Sequence, residues 1–153
     1  MPLITRVPRI LRVGTDFSGL DMPAFALPFV LDNPSKIRHV FACDASPSCR
    51  QFVALVHKPQ KIYADITDRD VTSVPACDLY MWGPPCQSFS TAGLCEGAND
   101  PRGQLPKYSL KYIKVHRPRL TIMETWTVYK RYTPYILCSY LVSLYLALIS
   151  LPK

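Results

Sequence analysis

A cysteine stands directly behind two prolines in the stretch "WGPPCQSFS" at residues 82–90. A thiol held behind a rigid turn, at the end of an apolar run, suits nucleophilic attack. Pro84 and Pro85 restrict the backbone just before it, so the sulfur of Cys86 keeps one aim. An isolated cysteine is more often a packing residue. Here, however, other reactive or hydrogen-bonding groups occupy equivalent places: Asp16, Asp44, Asp65 and Glu124 also close apolar runs. One carboxylate at such a place commonly caps the next helix. Five groups closing five runs exceed what stability requires.

The elements that must position these groups follow from hydrophobic pattern and punctuation. Residues 10–19, "ILRVGTDFSG", predict a buried strand and a glycine-bearing turn. Pro23 suits the first turn of a following helix, which Pro28 should shorten or kink. A second strand is predicted at 38–44. A helix follows, with Ser46 as N-cap, Pro47 at the first helical position and an apolar stripe of Phe52, Leu55 and Val56. A third strand is predicted at 61–68 and a fourth at 77–85, stopped by Gly-Pro-Pro. A polar loop then leads to a helix at 108–118 and a fifth strand at 119–125. Strands alternating with helices mean a parallel sheet covered on both faces, with ligands at the carboxyl ends of its strands.

The 153 residues suffice for one domain with a core, and 48% hydrophobic against 19% charged content fits a globular chain. Fifteen prolines against six glycines predict interrupted elements. A net charge of +7 favours an anionic partner, nucleic acid before membrane surface. Lys107, Lys111 and Lys114 fall at helical spacing, a pattern that is usually a solvated face. The six cysteines contain no C-x-x-C pair, and no secretory signal opens the chain, so reduced thiols in an intracellular setting are expected. No metal site is expected, because the cysteines are widely spaced and His39, His57 and His116 are scattered.

From about residue 127 the character changes. Residues 135–151 form a run of 17 without charge, at the lower limit for a membrane span of about 17–25 residues. A membrane anchor, a buried hydrophobic helix and out-of-frame translation all fit it.

"GPPCQSFSTAG" (83–93) closely resembles the nucleophile motif of the DNA cytosine-5 methyltransferases. Further segments arrive in that family's order. "DFSGLDMP" (16–23) resembles the first cofactor motif, although Asp21 and Met22 stand where the family has further glycines. "FACDASP" (41–47) resembles the second, "ADITD" (64–68) the third, and "DPRGQL" (100–105) the Asp-x-Arg-Gly-x-Leu segment. "METW" (123–126) sits where the family has Glu-Asn-Val, so the carboxylate is kept and its neighbours differ. The resemblance covers roughly residues 10–126.

It implies an incomplete, Rossmann-like α/β methyltransferase fold with a mostly parallel sheet, at 10–126, between a basic arm (1–9) and the apolar tail (127–153). It implies S-adenosylmethionine as methyl donor, held by Phe17, Ser18, Gly19, Asp44, Asp65, Ile66, Pro84 and Leu105. Asp44 would meet the ribose and Asp65 the adenine. Cys86 would add to C6 of a cytosine flipped out of double-stranded DNA, so that C5 can attack the methyl group. Glu124 would contact N3 and the exocyclic amine, and Arg102 a phosphate or its own loop. The long loop 87–103 would close over the base. If the source is eukaryotic, the nucleus is the expected compartment.

The family's domain is about twice this length, and its Arg-bearing strand motif and target-recognition region have no counterpart here. The chain therefore reads as a truncated catalytic N-terminal half, whose tail most resembles intron read-through or a shifted frame. Little or no methyl transfer is expected from it alone. Two other readings remain: a non-catalytic cofactor- or nucleic-acid-binding module, held at a membrane by its tail, and an RNA cytosine methyltransferase of the same architecture.

Overall fold

The computed structural model describes residues 10–31, 33–85, 101–124 and 145–147, with backbone alone for 101 and 145–147. Its elements run β1 (Leu11–Asp16), α1 (Met22–Val30), β2 (Ile37–Cys43), α2 (Pro47–Val56), β3 (Ile62–Tyr63), β4 (Leu79–Trp82), α3 (Pro106–His116), β5 (Leu120–Met123) and β6 (Tyr145–Ala147). Three short 3₁₀ turns, at Pro34–Lys36, Val71–Ser73 and Pro101–Gln104, join them.

The strands form one sheet in the order β3-β2-β1-β4-β5-β6. β1 to β5 are parallel, as the alternating pattern predicts, and β6 pairs antiparallel with β5. The chain leaves β1 toward β2 and β3, then returns to β4 on the other side of β1. That reversal opens a crevice at the carboxyl ends of β1 and β4, where open α/β sheets bind ligands.

Local chemistry explains the helices. Ser46 caps α2, its hydroxyl accepting from Cys49 N at 3.4 Å, with Pro47 opening the helix. α1 runs past Pro28 to Val30, so the proline falls inside the last turn rather than ending the helix earlier. In α2 the predicted stripe does not face the sheet. Phe52, Leu55 and Val56 are exposed, and Val53 is the buried residue. Lys107, Lys111 and Lys114 are exposed on α3, while Ser109 and Tyr112 are its buried positions.

Two cores flank the sheet. One is aromatic and lies under α3: Phe41, Tyr80, Trp82 and Tyr112 pack with Val40, Val71, Val74 and Cys77. Tyr80 and Tyr112 ring centroids are 4.6 Å apart, and Phe41 and Tyr112 5.2 Å. Phe41 explains Gly14, because a Cβ there would lie 2.2 Å from its ring. The other core, under α1, is aliphatic and thinner: Val13, Leu79 and Met81, with Leu27, Ile37 and Leu120 partly buried against them.

Of the apolar tail, 145–147 forms β6. Among the described residues no helix is long and apolar enough to cross a membrane.

Candidate active site

β1 ends at Asp16, and the next five residues curl sharply. Phe17, Gly19 and Asp21 all have left-handed φ, at 55°, 53° and 57°. Only glycine adopts this region without steric cost, with asparagine and aspartate the most tolerant of the rest, so Phe17 holds real strain. The curl is fixed by three bonds: Ser18 N to Cys43 O (3.0 Å), Gly19 N to Asp44 Oδ2 (2.7 Å) and Asp21 N to Ser18 O (2.6 Å). Asp21, in a place where the family has glycine, meets the conformational demand without obstructing the loop. Its carboxylate is wholly buried, accepting from Thr15 Oγ1 at 2.8 Å and capping α1 at Ala24 N. His39 Nε2 lies 3.4 Å from the same carboxylate.

Asp44 follows β2 and joins two loops. One oxygen accepts from Gly19 N and the other from Ser46 N at 2.9 Å. Asp65 and Ile66 follow β3, which is only two residues long against the eight predicted. The shortening has a local cause. Asp65 Oδ1 accepts from both Thr67 N (2.7 Å) and Thr67 Oγ1 (2.8 Å), turning the chain out of the sheet. Those bonds hold the Asp65 carboxyl below its ordinary value. Ile66 is buried and Asp65 exposed.

On the other side of the crevice, β4 leads into Gly83, Pro84 and Pro85. Gly83 N donates to Asp16 O at 3.3 Å, and Glu124 N donates to Trp82 O at 3.0 Å. The end of β1, the Gly-Pro-Pro turn and Glu124 are therefore level across three neighbouring strands, about 4.8 Å apart from one to the next. The Glu124 carboxylate leans over the turn: a Cβ on Gly83 would lie 2.9 Å from Oε2. Pro84 is buried, Leu105 half-buried just before α3, and Arg102 exposed in the turn before it. Cys86 and the loop through residue 100 lie outside the described residues.

Among the other thiols, Cys43 and Cys77 are buried and free, and burial pushes both up to about 12. Neither supplies thiolate at neutral pH, so neither competes as nucleophile. Among the described residues no group of three or more His, Cys, Asp or Glu is placed to hold a metal ion.

Asp16 corrects an expectation. Its side chain is not offered to a ligand at the strand end; it is fully buried on the α3 face. Arg69 Nη1 donates to Asp16 Oδ1 at 2.6 Å, and Arg69 Nη2 and Tyr80 OH both donate to Oδ2. Arg69 escaped the sequence reading. In "DITDRD" it looks like a solvated residue among aspartates, and only the distant partner reveals its role.

A parallel sheet with a reversal at β1/β4 is a doubly wound, Rossmann-like architecture, and the Asp44 carboxylate and the Gly-Pro-Pro turn stand at its strand ends. Residues 17–125 match the model of the C-5 cytosine-specific DNA methylases, and the chain belongs to that family. It is 38% identical over 68 residues to the type II methyltransferase M.FnuDI of Fusobacterium nucleatum, covering 44% of this chain and 20% of that protein. It is 32% identical over 88 residues to M.NlaX of Neisseria lactamica, covering 58% of this chain and 28% of that one. The fold matches the crystal structure of S. pombe Dnmt2 methyltransferase with a TM-score of 0.56 at 23% identity, over 75% of this chain and 36% of that chain. The chain thus spans between a fifth and little more than a third of these proteins.

Proposed function

We propose that this chain carries the methyl-donor site and the nucleophile of a DNA cytosine-5 methyltransferase, with S-adenosylmethionine as donor. The observation that carries the reading is the alignment of three strand ends. The curled loop after Asp16, the turn before Cys86 and the Glu124 carboxylate stand side by side, supported by the family match over 17–125. The residues present fit the donor. Gly19 lets the loop come close, Asp44 is fixed to receive a ribose hydroxyl, and Asp65 stands exposed at the next strand end, its two hydrogen bonds both falling on Oδ1.

When bound, the donor supplies an electrophilic methyl group. The protein's part is to prepare C5. The Cys86 thiolate forms a bond to C6 of an unstacked cytosine, and the ring electrons move toward N3 and C5. Glu124 shares a proton with N3 as the thiolate adds and relieves the charge that builds there. C5, made nucleophilic by the adduct, would take the methyl group as the donor's sulfur–methyl bond breaks and its thioether leaves, and loss of the C5 proton to a base with expulsion of the Cys86 thiolate would restore the aromatic ring. Pro84 and Leu105 line the donor site, and Arg102 contacts a phosphate or steadies its own loop.

The test is a mechanism-based trap. The purified chain, with S-adenosylmethionine, is incubated with duplex DNA bearing 2-pyrimidinone in place of cytosine, whose C6 accepts a thiolate without methyl transfer, and the products are mapped by mass spectrometry. An adduct at Cys86, lost in Cys86→Ala, is the expected result, with little or no methyl transfer to ordinary cytosine. Donor binding with no adduct favours a cofactor-binding module. Absence of both overturns the proposal.

A further inference from the structure

We propose that Arg69 is a positioning residue for the methyl donor, tying the loop that bears Asp65 and Ile66 to the end of β1 that bears Phe17 and Gly19. This rests on the donor site proposed above and adds a residue to it. The loop needs such a tie. β3 contributes only the pairs Ala42↔Ile62 and Cys43↔Tyr63, so the ladder ends before Asp65. Among the described residues, Asp65 is hydrogen-bonded within its own loop, to Thr67. Four residues beyond Asp65, Arg69 reaches across 53 positions of sequence to Asp16.

The contact is built for geometry. The guanidinium and the carboxylate meet in a two-point fork, with side-chain exposures of 4% and 0%. Tyr80 OH adds a donor to Asp16. Three rings enclose the guanidinium, with Cζ at 5.4 Å from the Phe41 centroid, 5.5 Å from Tyr63 and 5.9 Å from Tyr112. A lysine would offer one charged point where the site is shaped for a plane. Stability alone does not call for this pair, because well-packed apolar residues usually replace a buried ion pair without loss. What an apolar substitute lacks is the fixed register between two loops.

Tight binding sites lose affinity when a supporting contact lets them loosen. The experiment measures S-adenosylmethionine binding calorimetrically on the full chain, well below its melting temperature. Four variants are compared with the wild type: Arg69→Lys, Arg69→Met, the paired replacement Asp16→Leu with Arg69→Met, and Val13→Ala. Val13 lies on the same strand but in the opposite core, and serves as a purely destabilising control. Hydrogen exchange of the 64–70 amides is followed without ligand. Arg69→Met is expected to raise Kd at least about tenfold, and Arg69→Lys to rescue part of that. The paired variant should recover melting temperature without recovering affinity. Exchange in 64–70 should quicken selectively in every Arg69 variant and not in Val13→Ala.

An equal loss of affinity in Val13→Ala, or recovery of affinity with stability in the paired variant, overturns the positioning role. Unchanged exchange in 64–70 overturns the tether itself, and covers the case in which Arg69→Met fails to fold, since Arg69→Lys reports it too. A wild type that does not bind the donor, but whose 64–70 exchange still depends on Arg69, defeats the donor reading and leaves only a structural tie.

Discussion

The two faces of the sheet are built to different standards. Under α3, four aromatic side chains and a buried ion pair fill the space, and Phe41, Tyr80 and Tyr112 are fully enclosed. On the α1 side the core cluster is only Val13, Leu79 and Met81, beside a cleft of about 270 Å³ lined among others by Leu27, Pro28, Ile37, His39 and Val56. The outer surfaces of α1 and α2 keep Phe25, Phe29, Val30 and Leu55 at least half exposed. The strand-end loops therefore stand on a firm aromatic floor on one side and a loose aliphatic one on the other. Truncation should separate the faces most clearly. Phe41→Ala is expected to cost about 3–5 kcal/mol, read from the urea midpoint. Leu27→Ala should cost only about 1 kcal/mol, because the space beside it is already open. Equal losses would mean that the two faces contribute alike.

The aromatic floor is also intolerant of added volume. Gly14→Ala would press a methyl group into the Phe41 ring, at 2.2–2.9 Å from three of its carbons. Phe41 is hemmed in by Tyr63, Tyr80 and Tyr112 and has little room to yield. A loss of about 1–3 kcal/mol is expected, seen as a lower melting temperature. A neutral Gly14→Ala would show that the floor is softer than its packing implies.

How much of this was legible in the sequence divides along the same line. The parallel strands and their helices followed from apolar runs bounded by Gly, Pro and Ser, because each element's signal is local. The positions of Asp44 and Glu124 at strand ends were legible for the same reason. What escaped depends on partners far along the chain or on competition between local bonds. β3 was overestimated because Asp65 draws Thr67 N into a turn, and pattern alone does not weigh that bond against a ladder. Arg69 was missed because its charge is matched by Asp16, 53 residues away. The α2 stripe pointed the wrong way because a 3.6 period finds an apolar face without saying what covers it. Cys86 was the plainest motif, and it lies outside the described residues.

Acid should act through the looser face. His39 is mostly buried beside Asp21, with Nε2 3.2 Å from Thr15 Oγ1 and the His57 ring 6.5 Å away. Desolvation lowers its pKa below the ordinary 6.5, outweighing the attraction of Asp21, and His57 opposes a second charge. The folded state then binds the proton more weakly than the unfolded chain. Stability is full above the unfolded value and falls as pH drops from there through the folded one. A series of urea melts from pH 7.5 to 5 should show this slope, and His39→Gln should flatten it. The effect should be smaller than that of Phe41→Ala, Leu27→Ala or Gly14→Ala. An unchanged slope would assign the acid sensitivity to other groups.

The smallest effect is expected on the outside of α1, and it separates exposure from instability. Phe29 is 82% exposed, and its ring lies beside that of Phe25, with centroids 6.1 Å apart. Most of its surface stays in water in this chain, so replacing it forfeits little burial. Phe29→Lys should change unfolding free energy by no more than about 0.5 kcal/mol. It should nevertheless raise solubility, because it breaks an apolar patch shared with Phe25 and Val30. Light scattering at rising protein concentration measures the second effect, and a urea melt the first. A large loss of stability would show that this face is covered in solution, and the contrast between the two sides of the sheet would then be one of visible partners rather than of packing quality.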